Sequence, residues 1–347
     1  MDTKISFFIA AYNAQKYIIE AVNSALNQTY KDIEIVIVND GSTDKTLSIL
    51  EKEYSQNNKV KIYSNSTNIG IAKTRNKALT LCSGEYIAIL DADDISTPSR
   101  IELQLKALIE NNADICIGNV FFFGGGKNRI WRATNSSEEL KKLMAFNCPI
   151  SNSSVLIRKK FLIEMHGYNI NSITEDYNLW VRMLEKKHKY TAINHIVIHS
   201  REHQESYTKS KRTLVLDSAA NDRKLAIKFF FPEFTSYQIE ILTRSLSGTK
   251  NLTLKEFKTF IYLNDLMQEK LNFKENESID FLSHNWVSIG INNIQLGFRG
   301  YIYWLKNKKL CVRINNKIKI KLFFAFLLRL TPGSRTYKTL KSIGEKI

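Results

Sequence analysis

The chain has 347 residues, 44% hydrophobic and 24% charged, which allows a sizeable core and excludes general disorder and the collagen-like, mucin-like and disulfide-scaffold classes. Fifty Lys and Arg against 34 Asp and Glu give a net charge of +16. The excess lies late in the chain: residues 1–205 carry +2, residues 206–347 carry +14, and residues 299–347 alone carry +12, an asymmetry that points to an anionic partner, nucleic acid or a membrane surface.

In chain order, ISFFIAA (5–11) reads as a buried strand; it lacks a basic leader, so it is not a targeting segment. Residues 16–27 read as a helix with Ile18, Ile19, Val22 and Leu26 on one face. IEIVIVN (33–39) is a second buried strand, and Thr43 or Asp44 caps the helix that carries Leu47 and Leu50. Residues 60–63 form a third strand, and residues 71–82 a helix closed by Gly84. EYIAILD (85–91) is the fourth strand, Pro98 starts the helix 98–111, and ADICIGN (113–119) is the fifth strand. Gly124-Gly125-Gly126 reads as a hairpin turn or loop without the spacing of a phosphate cradle. Residues 151–169 read as a strand and then a helix ended by Gly167, and residues 173–188 as a helix. Beyond Ser206 the composition is helical and Lys-rich, so the expected domains are 1–205 and 206–347. Cys82, Cys116, Cys148 and Cys311 form no C-x-x-C pair and suit a reducing compartment. The late apolar run 322–328 is too short to span a membrane.

Strand–helix alternation with β-branched runs predicts an α/β fold with a mostly parallel sheet, whose ligands bind beyond the carboxyl ends of the strands. Three carboxylates in Asp91-Ala92-Asp93-Asp94 repel one another at such an end. Either they are compensated by Mg²⁺ or Mn²⁺, or they form a solvated turn. Asp40 follows the second strand, where a carboxylate can accept from a base N–H or simply belong to a turn. Glu175 and Asp176 start a helix, which could hold a general base or satisfy the helix dipole. His199 and His203 are spaced i, i+4 without an H-E-x-x-H pattern.

Taken together, AAYNAQKYIIEAVNSALNQTY (10–30), IEIVIVNDGSTDKT (33–46), NIGIAKTRNKAL (68–79), GEYIAILDADD (84–94) and TEDYNLW (174–180) resemble bacterial family 2 glycosyltransferases with the GT-A fold. The likeness is greatest to those that build capsules, O-antigens and lipooligosaccharide outer cores, and it covers about residues 1–205. By this resemblance Ala11 and Tyr12 line the nucleobase pocket, and Asp40 bonds the uracil N3–H. Arg75 lies beside the nucleotide. Asp91 bonds the ribose or a metal-bound water, and Asp93 holds Mn²⁺ or Mg²⁺ on the diphosphate. His203 lies near that metal, and Asp176 is the catalytic base. Ala10-Ala11 departs from relatives that carry a Pro here. The implied reaction is inverting transfer of a hexose or N-acetylhexosamine from a UDP-sugar to a saccharide acceptor, commonly lipid-linked.

The segment 301–330 interleaves aromatic, aliphatic and basic residues. It suits peripheral contact with an anionic lipid surface, with the chain cytoplasmic and resting on the inner face of the cytoplasmic membrane. The competing reading is a helical subdomain packed on the rest, its lysines solvated. Two other classes are a catalytically inert scaffold and a nucleic-acid binder using the basic tail. No nucleic-acid recognition motif is present, so nucleic acid is not the expected partner.

Overall fold

The apolar runs of the first 120 residues become strands of one sheet. The computed structural model describes residues 3–126, 128–203, 211–247 and 252–330. The chain divides into two compact units, Met1–Leu140 with Cys148–Arg212, and Lys141–Asn147 with Thr213–Ile347.

In the first unit, β1 (Ile5–Ala11), β2 (Ile33–Asn39), β3 (Val60–Ser64) and β4 (Tyr86–Ile89) pair in parallel, with β1 between β2 and β4. Every residue of β2 is buried, as expected of a strand covered on both faces. The helices α1 (Ile18–Leu26), α2 (Thr46–Tyr54), α3 (Ile71–Leu81) and α4 (Arg100–Glu110) join and follow these strands. Five more strands complete the sheet: β5 (Ile95–Ser96), β6 (Ile115–Phe123), β7 (Arg129–Trp131), β8 (Leu156–Arg158) and β9 (Tyr190–Arg201). The order is β3-β2-β1-β4-β8-β6-β9-β5, with β7 paired to β6. The sheet is mixed: β8 runs antiparallel to both β4 and β6, whereas β6 and β9 are parallel. The glycine run 124–126 turns the β6–β7 hairpin. The helices α5 (Ser137–Leu143), α6 (Lys159–Glu164) and α7 (Glu175–Arg182) lie among these strands in sequence.

Two glycines act differently. After α6 the chain turns left-handed at His166 and Gly167, and the Gly167 N–H returns to the Leu162 carbonyl at 2.8 Å, a helix stop of the expected kind. Gly84, by contrast, does not cap α3, which ends at Cys82 in an extended conformation. A Cβ on Gly84 would lie 2.6 Å from the Ser6 nitrogen, so the residue is small because β1 passes against it. Beside it, buried Glu34 accepts from the Ser6 and Ser83 hydroxyls at 2.6 and 2.8 Å and pairs with Lys61 at 2.7 Å. Burial alone would raise this carboxyl; Lys61 and the donors outweigh it and hold Glu34 well below the usual carboxylate range.

The second unit is helical: α8 (Arg212–Phe230), α9 (Ser236–Ser247), α10 (Leu254–Leu271), α11 (Asn276–Asn292), α12 (Gly297–Trp304), α13 (Lys308–Arg313) and α14 (Asn316–Leu327). Thr253 and Glu256 form a capping box at the start of α10. Phe257, Phe260, Trp286, Trp304, Tyr301 and Phe326 fill the core. Phe260, Trp286 and Trp304 stack in series. Each of the two indoles donates to the other residue's carbonyl, at 3.2 and 2.8 Å. The late basic segment thus contributes Tyr301, Trp304, Leu322 and Phe326 to its own unit's core. Ile320, Phe324, Leu327 and Leu328, spaced along the outer side of α14, stay exposed. No helix of the described residues is long and apolar enough to cross a membrane.

Candidate active site

The parallel strands end together. Ala11 is in register with Asn39, the Asp40 N–H donates to the Ala11 carbonyl at 2.7 Å, and Leu90 after β4 donates to Phe8. The segments that follow β1, β2 and β4 therefore meet at one edge of the sheet. There Asn13, held left-handed, receives the Thr43 N–H, and Asp44 accepts from the Gln15 and Thr46 N–H groups. The N-cap of α2 is thus Lys45 and neither Thr43 nor Asp44, although Asp44 accepts the first N–H of the helix from one residue outside it, and Asp40 is set apart from that turn.

Asp40 is buried. Its carboxylate accepts from the Asn65 side chain and the Ile69 N–H at 2.9 Å, and from the Gly70 N–H at 3.0 Å. These donors draw the 65–70 loop over it. Gly41 makes the approach feasible: it sits at φ +63°, and a Cβ there would lie 2.4 Å from the Thr67 backbone. Ala11 is buried beside Asp40, and Tyr12 projects half exposed (48%) at the strand end.

Residues 91–94 begin two residues after β4 ends, in a loop rather than a strand. Asp91 accepts from the Ser153 hydroxyl at 2.8 Å and from Arg75 at 2.7 Å. The other terminal nitrogen of Arg75 binds Glu175. With its amide oxygen turned inward, Asn152 accepts from both nitrogens of this guanidinium at 3.0 and 3.1 Å. The guanidinium also lies 5.5 Å from the Tyr168 ring centre. The structure thus brings Arg75, Asp91 and Glu175 together, with Asp176 the next residue of α7.

On the other side of the loop, Asp93 lies 2.8 Å from His203 Nε2. Arg201 frames this pair. Its N–H donates to Asp94 at 3.0 Å, its guanidinium reaches the Asp93 carbonyl and Glu20, and the same group lies over the Tyr17 and Phe123 rings. Arg201, Ser153 and the Arg75–Glu175 pair were not expected. They are single residues that meet their partners across chain separations of 62, 100 and 107 residues and carry no local pattern. His199, the other half of the i, i+4 pair, is absorbed into β9 opposite Ile95.

Electrostatics follows from crowding. Burial and the Asp91 and Asp93 charges push the Asp94 carboxyl up to about 8. Burial and Asp91 raise Asp93, against the pull of His203. Burial raises Glu175 and Asp176, with Arg75 opposing in both. A group of carboxylates that holds protons this readily also favours a bound cation. Among the described residues no three His, Cys, Asp or Glu side chains converge as a complete cage. The Asp93–His203 separation of 2.8 Å nevertheless suits adjacent ligands on a small divalent ion, which lie about 3 Å apart.

A family model described as glycosyl transferase family 2 matches residues 6–168. An uncharacterized glycosyltransferase of Haemophilus influenzae is 35% identical over 195 residues, 51% of this chain and 58% of that one. Another, from Methanocaldococcus jannaschii, is 34% identical over 201 residues, 56% of this chain and 69% of that one. A chondroitin synthase of Pasteurella multocida is 27% identical over 348 residues, 83% of this chain but 35% of that one. The chain therefore spans between about a third and two thirds of the lengths of these relatives. Among solved structures, S. aureus TarS 1–349 in complex with UDP-GlcNAc superposes with a TM-score of 0.57 at 17% identity, covering 93% of this chain and 90% of that one. That likeness bears on the fold.

Proposed function

We propose, from the premise that this chain belongs to glycosyltransferase family 2, that it moves a hexose or N-acetylhexosamine from a UDP-sugar to a saccharide hydroxyl, with inversion, in the synthesis of a bacterial surface polysaccharide. The observation that carries this reading is the gathering of Asp40, Asp91, Asp93 and His203 beyond the ends of the parallel strands, with Glu175 joined to Asp91 through Arg75 and Asp176 the next residue of that helix. Likeness to a chondroitin synthase supports a polysaccharide product, and the UDP-GlcNAc held by TarS supports a UDP-sugar donor.

In this reading Ala11 and Tyr12 flank the base. Asp40, already carrying three donors of its own chain, keeps acceptor capacity for the uracil N3–H. Asp91 faces the ribose. Asp93 and His203 would hold Mn²⁺ or Mg²⁺, which would supply positive charge against the diphosphate. The acceptor oxygen bonds to sugar C1 as the C1–O bond to UDP breaks. Asp176 takes the hydroxyl proton, and its carboxyl, raised by burial, is the more basic for it. A single displacement turns an α-linked donor into a β-glycoside.

The acceptor is read as a lipid-linked saccharide, met at the inner face of the cytoplasmic membrane. The support is the basic charge of the second unit and the exposed Ile320, Phe324, Leu327 and Leu328 of α14. The test is a panel of radiolabelled UDP-sugars with Mn²⁺ and a membrane-extracted acceptor. One donor should give a labelled glycolipid and stoichiometric UDP. Absence of both turnover and UDP binding across the panel would sink the reading.

A further inference from the structure

Arg75 is placed unlike a nucleotide ligand. It projects from α3, whose Ala72, Thr74, Ala78 and Leu79 are buried with it, and its side chain is 7% exposed. Both terminal nitrogens are committed, one to Asp91 at 2.7 Å and one to Glu175. Asn152 and the Tyr168 ring close the remaining sides. Asp91 belongs to the loop after β4 and Glu175 to the first turn of α7. The chain separation between Arg75 and Glu175 is 100 residues, and that between Arg75 and Asp91 is 16.

We propose that Arg75 is a positioning residue, a buried strut that fixes the donor-side acid Asp91 and the pair Glu175 and Asp176 in one relative geometry, and that it does not bind the nucleotide itself. The inference rests on the reading of Asp176 as the base. A guanidinium is a rigid planar fork with donors at set angles. Gripping one carboxylate with each terminal nitrogen, it fixes both the distance and the orientation between them. A lysine ammonium in its place is a single point and cannot span both. Asp176 follows Glu175 on the same turn, so its carboxyl takes its direction from that grip. The charged and titratable groups that act on it are Arg75 from α3, Asp91 from the loop after β4 and the neighbouring carboxylate Glu175 of α7, with the uncharged Tyr168 phenol from the segment before α7 beside them. Arg75 favours the ionised base; Asp91 opposes it.

The experiment compares Arg75→Lys and Arg75→Met with the parent in three readouts. The first is UDP affinity with Mn²⁺ by calorimetry. The second is kcat against donor KM. The third is the pH dependence of kcat/KM. A strut predicts a loss of UDP affinity, felt only through Asp91, that is much smaller than the loss in kcat. It predicts kcat lowered about 100-fold in Arg75→Met, the scale of a misplacement of about 1 Å, and less in Arg75→Lys. The acidic limb of the profile should move to higher pH by about one unit, because the base has lost the cation that kept it ionised. A loss of UDP affinity that accounts for the whole fall in kcat/KM makes Arg75 a nucleotide ligand and overturns the proposal. If Arg75→Met does not fold by circular dichroism, Glu175→Gln gives the same reading from the other end of the pair. It should lower kcat with UDP affinity kept, and a parent-like kcat there overturns the strut. Failure of the base assignment looks different: Asp176→Asn then turns over at the parent rate. If the strut alone fails, Asp176→Asn stays inactive while Arg75→Lys keeps the parent kcat.

Discussion

The two units bury polar matter in contrasting ways. In the first, charged side chains go inside and are paired there: Arg75 between Asp91 and Glu175, Glu34 among Lys61, Ser6 and Ser83, and Asp94 under the Arg201 N–H. In the second, Asp222 and Arg223 are the buried charged residues among those described; the interior is built mainly on stacked rings, Phe257 on Phe260, Phe260 on Trp286 and Trp286 on Trp304, and its large positive charge comes mainly from surface lysines and arginines such as Arg313, Lys317 and Lys321. Buried ion pairs contribute little net stability compared with apolar packing of the same volume. The pairs around Asp91 and Asp94 lie at the carboxyl ends of the parallel strands, where the proposed site is, whereas Glu34, at the opposite end of β2, belongs like the ring stack to the scaffold.

The sharpest way to break this contrast is at the base. Asp176→Asn should lower kcat by roughly 10²–10⁴-fold, the usual worth of a general base, with UDP affinity retained in a calorimetric titration. Next in size is Asp93→Ala, which should abolish Mn²⁺-dependent UDP binding; undiminished heats of UDP binding with the metal present would remove Asp93 from the donor site. In the other unit, Trp304→Ala should destabilise by about 3–5 kcal/mol, seen as a lower midpoint in urea, with UDP affinity unchanged below the transition. A smaller effect belongs to Glu34. Its carboxyl is lowered in the folded protein, so its contribution is complete above the unfolded value near 4.3 and declines as pH falls below it. Glu34→Gln should cost about 2 kcal/mol at neutral pH and flatten the loss of stability below pH 4. A parent-like acid slope in that variant would show that the network is not coupled to proton uptake. Smallest is the surface term. Replacing Lys317 and Lys321 by Glu should weaken co-sedimentation with phosphatidylglycerol vesicles, each lysine giving about 1 kcal/mol near such a surface, without changing soluble-acceptor kinetics.

Legibility in the sequence follows the same division. β1, β2 and β4 are readable because buried parallel strands are near-continuous apolar runs. β9 is not, because YTAINHIVIHSR alternates half-exposed positions and its central Asn194-His195 is polar. β8 is the strand read at the start of 151–169, followed by its helix, but its antiparallel insertion between β4 and β6 cannot be inferred from spacing. The acidic loop 91–94 announced itself through repulsion between neighbours. The groups that relieve that repulsion, Arg75 with Glu175 and Arg201 with Asp94, meet only after folding, and sequence distance hides them. Gly84 was misread as a helix cap because a glycine after a helix looks the same whether it is needed for a left-handed turn or for a strand passing close by. In the second unit the apolar content was plain, but the ring order and the inclusion of residues 141–147 depend on tertiary packing.

The mutual indole–carbonyl bonds of Trp286 and Trp304 act as a two-sided latch between α11 and α12. Neither helix can leave without stranding its own indole and the other's carbonyl, so this part of the molecule should open as one event. The latch is also a chromophore pair, with centres 6.4 Å apart, and once Trp131 and Trp180 are replaced by Phe its emission reports that opening without any added label.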